Sequence, residues 1–265
     1  MQFDMYNTEG SSLRNVQLQM LEMIKVIDGI CQENGIEYFL NGGSALGAAR
    51  HKGFIPWDDD MDIALLEHDY KKLIKILKHY NSNKYVLQMQ STDFNYINEV
   101  PKFRMREGEF LGSFPLRGRL YKWKGPGIDI FCFQRNSYLA ARISAGIHSR
   151  LLHWTYKIRS NGFRCCITKM MYVLWLIIKP LCKVFNILRK PDELHNALGM
   201  GYAHFYICES HLKPLIRLPF EDTELPVPAQ YDKFLTSLFG DWRTPPSKEE
   251  ILRHGTHSKE LINLK

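Results

Sequence analysis

The sequence predicts an α/β fold of the α+β kind, one mixed sheet flanked by helices, with a helical basic insertion and a helical C-terminal part. Three observations predict it. Apolar residues between Leu13 and Cys31 recur at helical spacing, and from there to about residue 135 short apolar runs bounded by turn residues alternate with further helical patterns. From Tyr138 to Lys190 the chain is apolar and basic without a single acid. At 265 residues and 45% hydrophobic content it has enough apolar sequence for one large core or two modest ones. The expected division is a core over 1–137, the insertion over 138–190, and a part over 191–265 that completes the core.

The elements follow in order. The first helix is expected over Ser11–Asn34, with Leu13, Val16, Met20, Leu21, Ile24, Ile27 and Cys31 on one face, Ser12 as the cap and Gly35 beyond the end. IEYFL (36–40) reads as a strand, and NGGSALGAARH after it as a tight turn entering a helix. Residues 54–59 form a loop, Met61–Leu66 a second strand, and Glu67–Tyr80 a helix with apolar Tyr70, Leu73, Ile74 and Leu77. KYVLQMQ, VPKFRMR and GIDIFCF are three more strands. Near the C-terminal end, Pro226 and Pro228 read as a turn. Val227, Tyr231, Phe234, Leu235, Leu238 and Phe239 then recur at helical spacing up to Gly240.

Charge and cysteine usage narrow the classes of function. The net charge is +7, but the ten Lys and Arg of 138–190 give that segment +10 and leave the remainder at −3. A polyanion binder more often spreads its charge along a groove with stacking aromatics, so no nucleic-acid partner is expected. The N-terminal MQFDMYNTEG carries acids and no apolar signal region, and the six cysteines show no paired metal spacing. These features fit a cytoplasmic protein with reduced thiols.

Chemistry concentrates in FIPWDDDMDIAL, which holds four acids within five residues. Like charges a few ångströms apart repel by about 1 kcal/mol per pair even in water. Either the stretch is a solvated acidic turn or a cation offsets the repulsion. In Asp60-Met61-Asp62-Ile63 acids alternate with apolar residues, so on a strand both carboxylates share a face. Asp129 in GIDIF adds a third carboxylate. Together they make a hard oxygen set suited to Mg²⁺, with Mn²⁺ as a substitute. Gly42, Gly43 and Ser44 open a helix whose amides and positive end suit a phosphate.

These residues carry a resemblance. Gly42–Leu65, GGSALGAARHKGFIPWDDDMDIAL, is similar to the hallmark block of the LicD family of phosphocholine transferases, which includes fukutin and fukutin-related protein. PKFRMR, GIDIF and FEDTELPVPAQYDKFLTSLFGDWRTPP continue it, while 138–190 is poorly matched. Cys132 stands where the family often has Pro, and the 15 residues between Ser44 and Asp60 are more than is usual in the nucleotidyltransferase superfamily, which points to a subgroup of it. The resemblance implies a nucleotidyltransferase-like fold. It also implies Mg²⁺-dependent transfer of a phosphoalcohol from a CDP-alcohol donor to a hydroxyl of a glycan or glycolipid such as lipopolysaccharide, with release of CMP. Asp60 and Asp62 would be metal ligands, Asp129 a ligand or the general base, and Asp58 a support for the metal's waters. Nucleotide attachment to an acceptor and a non-catalytic glycan or membrane module stay open as alternatives.

The basic neighbours carry two readings each. Arg50, His51 and Lys52 either neutralise a pyrophosphate or form a solvated helix end. Lys102 and Arg104 alternate on one strand and share a face that suits phosphate. Trp57 is expected to pack, and His254 and His257 to be surface residues. Within 138–190 the apolar run Met170–Ile178 has nine residues, short of the about 20 that span a bilayer. The segment is therefore expected not to span. It is either an interfacial helix drawn to an anionic membrane, which would place the protein peripherally on the inner face, or a packed helical hairpin with a basic rim.

Overall fold

The computed structural model describes residues 7–109, 120–189, 193–200, 209–247 and 249–251. His254 and His257 lie outside the described residues. The first helix, α1 (Ser12–Asn34), is capped by Ser11 and not Ser12: the Ser11 hydroxyl accepts the Arg14 amide at 3.2 Å, and the Ser11 backbone is extended. Gly35 ends the helix in the left-handed conformation at φ 57°. Next come β1 (Phe39–Leu40), α2 (Gly42–His51), β2 (Asp62–Leu66), α3 (Glu67–Lys78), β3 (Tyr85–Gln88), β4 (Lys102–Met105) and β5 (Gly127–Arg135). The strand expected over 36–40 keeps two residues, because β1 pairs only with Ala64 and Ile63 before the chain turns into α2.

The sheet is mixed, in the order β1-β2-β5-β4-β3. Its centre is the parallel pair β2/β5, which sets Asp62 beside Asp129 and Ile63 beside Ile130. Strands β4 and β6 (Leu194–Asn196) share the other edge of β5, β4 pairing with its first residues and β6 with its last. Met20, Ile24 and Ile27 of α1, Ile63 and Leu65 of β2, and Ile128 and Ile130 of β5 are fully buried in one core.

The C-terminal part is less helical than expected. After the short helix α6 (Glu209–Leu212), β7 (Leu215–Phe220) and β8 (Thr223–Pro228) form an antiparallel hairpin. The two prolines read as a turn are inside β8, where Pro226 pairs with Arg217 and Pro228 with Leu215. A two-stranded ribbon leaves one side of each strand unpaired, so a missing N–H is tolerated there. Val227 therefore belongs to a strand, and the helix, α7, covers Tyr231–Phe239.

The basic segment forms two antiparallel helices, α4 (Tyr138–Lys157) and α5 (Asn161–Arg189). The expectation that the segment does not span rested on a run of nine apolar residues. The helix that contains this run has 29, and over Asn161–Leu188 its length and composition suffice to cross a membrane. Lys169, Lys179 and Lys183 broke the run in the sequence without interrupting the helix.

Candidate active site

The acids meet the start of α2. Gly42 and Gly43 are its first two residues, and helix geometry leaves their N–H groups without intrahelical acceptors. A Cβ on Gly42 would lie 3.3 Å from Asp62 Oδ2, and one on Gly43 2.7 Å from Asp58 Oδ2. The glycines thus let two carboxylates press against the positive end of the helix. The amide of Ser44 donates to Asn41 O at 3.0 Å, and its hydroxyl accepts the Asp62 amide at 2.8 Å. Ser44 therefore fixes the first residue of β2 to α2.

Asp60 precedes β2, which begins at Asp62, yet it lines the same pocket as Asp58 and Asp62. Asn41, Gly42 and Gly43 line that pocket too, and Phe131, Phe133, Leu238 and Phe239 give it an apolar wall with Asn196 beside them; its volume is about 240 Å³. Asp129 stands next to Asp62 in the parallel register and binds Lys102 Nζ through Oδ2 at 2.6 Å. Oδ1 of Asp62 and Oδ1 of Asp129 are both buried with no hydrogen-bond partner. A ligand oxygen of each of Asp58, Asp59 and Asp60 also falls within 4.8 Å of the others.

The electrostatics follow from crowding. Burial, then the charges of Asp60, Asp59 and Asp62, hold the Asp58 carboxyl well above the usual carboxylate range. Burial, then Asp60 and Asp129, does the same to Asp62, with Lys102 opposing. Two orphaned carboxylate oxygens in a crowded acidic pocket are the donor set a hard divalent cation takes. The residues present therefore fit Mg²⁺.

The other basic residues separate. Lys102 joins the acids through Asp129. Arg104 is buried and gives a hydrogen bond to Gly125 O. Arg50, His51 and Lys52 sit at the far end of α2, about 15 Å along a helix of this length. Arg50 there donates to Trp242 O at 2.8 Å, while His51 and Lys52 line a different cleft with Arg14 and Glu221. Burial, then Arg50, pushes His51 down to about 4. Trp57 packs against the core, with its ring 5.9 Å from that of His51.

Several contributors were hidden in the sequence. Gln17, fully buried in α1, donates to Ile55 O at 3.3 Å and Asp58 O at 2.9 Å and so braces the acidic loop. Glu221 accepts the Phe54 amide at 3.1 Å and forms a two-point pair with Arg14. Residues 35–156 match the family described as LicD/FKTN/FKRP, nucleotidyltransferase domain. The chain carries a LicD-family domain.

Over 92% of this chain and 96% of the other, it is 24% identical to the lipopolysaccharide cholinephosphotransferase LicD of Haemophilus influenzae. A stretch of 48 residues, 18% of this chain and 10% of the other, is 44% identical to the human ribitol 5-phosphate transferase FKRP. An uncharacterized protein of Rickettsia prowazekii is 33% identical over 73 residues, 28% of this chain and 27% of its own length. The LicD-family domain contains the glycines, the acids and β5. Gln17 and Arg14 brace it from before its start, and Leu238 and Phe239 close the pocket from beyond its end. No motif announces Arg14 and Gln17, which read as ordinary helix residues, whereas Leu238 and Phe239 lie within the C-terminal block of the resemblance.

Proposed function

We propose that this protein transfers a phosphoalcohol of the phosphocholine type from a CDP-alcohol to a hydroxyl of a cell-surface or lipid-linked glycan, releasing CMP. The LicD-family domain and the likeness to LicD and FKRP support the transferase class. The donor and the metal are the proposed parts. The observation that carries the reading is the parallel pairing of Asp62 with Asp129 beside the start of α2, whose first two N–H groups have no acceptor within the helix. Mg²⁺, or Mn²⁺ in its place, would be held by Asp60, Asp62 and Asp129, with Asp58 behind them, and when bound neutralises charge on the pyrophosphate oxygens.

The chain's own groups do the positioning. The Gly42 and Gly43 amides face the nucleotide-side phosphate, where charge grows as its bond to the transferred phosphorus breaks. Asp129, with Lys102 holding its Oδ2, would serve either as one of the metal's ligands or as the base that takes the acceptor's proton as its oxygen bonds to that phosphorus. Phe131, Phe133 and Phe239 suit a methylated ammonium group through their ring faces. A polyol would set most of its hydroxyls against apolar wall, at a cost in unpaired polar groups.

The protein is incubated with Mg²⁺, a panel of CDP-alcohols and a lipopolysaccharide acceptor, and the acceptor is weighed by mass spectrometry. A mass gain of one phosphoalcohol, with free CMP, is expected. A gain of one nucleotide monophosphate overturns the reading in favour of nucleotide attachment.

A further inference from the structure

The α4–α5 pair buries several polar side chains and exposes a row of apolar ones. Ser144, His148 and Thr155 of α4 and Arg164, Thr168 and Asn186 of α5 are buried. Phe163, Val173, Ile177, Leu181, Val184 and Leu188 of α5 are exposed, Leu188 to 77%. At 100° per residue these six fall within one stripe, about 38 Å long at the usual helical rise. Soluble helices turn such a stripe inward. A contiguous apolar surface of this size marks a contact with something other than water.

We infer that α5 lies along an anionic membrane surface and buries this stripe among the acyl chains of one leaflet. The inference does not depend on the reaction proposed above. Two observations select lipid. The segment 138–190 has ten cations and no acid, and Arg142, Arg150, Lys169 and Lys183 are exposed on the pair, within reach of headgroup phosphates. The opposite face of α5 is held to the sheet domain for most of its length. Trp175 Nε1 donates to Glu99 Oε1 at 2.5 Å, Lys179 pairs with the same carboxylate, and the Tyr172 ring meets that of Phe94 at 6.3 Å. Near the end of α5, Asn186 Oδ1 accepts the Ser137 amide at 2.6 Å. Crossing the bilayer would break these contacts, whereas lying in one leaflet keeps them all.

Flotation of the full chain with phosphatidylcholine vesicles, with and without phosphatidylglycerol, tests this. Flotation with the anionic vesicles is expected, with a substantial part surviving roughly 1 M salt, where charge attraction is screened within about 3 Å. Ile177→Asp together with Leu181→Asp is expected to weaken partitioning at least about tenfold, since each removes a buried aliphatic side chain. Circular dichroism and melting of the variant should match the parent. Absence of flotation overturns the inference, as does flotation that salt abolishes and the double variant leaves unchanged. A dimer that forms without lipid and is dispersed by the same variant also overturns it, in favour of a second copy covering the stripe.

Discussion

Neither Gly42 nor Gly43 tolerates a side chain: Gly42 holds a left-handed φ of 52°, and a Cβ on Gly43 would reach to 2.7 Å of Asp58 Oδ2. The acids they admit are themselves in conflict. The folded-state pKa of Asp62 is raised, so ionising it opposes folding: its favourable contribution is present at low pH and lost as pH rises through the folded value. Asp62→Asn removes that penalty. It is expected to melt at a higher temperature than the parent in metal-free neutral buffer, while turnover falls by about a hundredfold or more. Calorimetry and a CMP-release assay check the two halves, and full turnover in the variant would remove Asp62 from the site. Acids at 58–62 and 129 were legible because charge next to apolar strand sequence is costly without a purpose. Gln17 was not, since one amide within an apolar helical stripe gives no sign that it reaches the acidic loop.

Among the elements, α2 and β2 act as a unit through one hydroxyl. Ser44→Ala leaves the Asp62 amide without its acceptor at 2.8 Å and is expected to cost about 1–2 kcal/mol of stability. The start of β2 also shifts, so turnover should fall more than donor affinity, which steady-state kinetics would separate. Equal loss in both would assign Ser44 to substrate binding instead. Elements with strong periodicity, α1, α3, β4 and β5, were legible nearly to their ends. The β7–β8 hairpin was missed because Pro226 and Pro228 signal a turn, and only a ribbon with an open edge accommodates both. The start of β1 was misplaced, at 36 against the observed Phe39, because its length is set by what β2 offers as a partner.

For the molecule as a whole, the charge is divided between a basic helical pair and a slightly acidic remainder, in which Asp58, Asp60 and Asp62 share one pocket. A cation held in that pocket, as proposed above, would bind the folded chain and not the unfolded one. Mg²⁺ at about a hundred times its dissociation constant is expected to stabilise the fold by about 2.7 kcal/mol. A melting temperature unchanged by Mg²⁺ and by a chelator would contradict a metal site there. Five of the sheet's six strands could be read from sequence patterns; β6, three residues within a part expected to be helical, could not. Nor could the exposed apolar stripe of α5: nine apolar residues understate a helix of 29 residues, and which face turns outward depends on contacts to Glu99 and Ser137, remote in sequence.

The pocket wall also has a place in time. Its acids belong to residues 58–62 and its ring-lined floor to β5, but Leu238 and Phe239 close it from α7, after the apolar helix pair along the chain. A ribosome therefore delivers the greasy helices well before the residues that finish the pocket, and domains generally begin folding in the order they emerge. A nascent chain halted beyond α5 would already present the surface that seeks lipid, while its active site still stood open on one side.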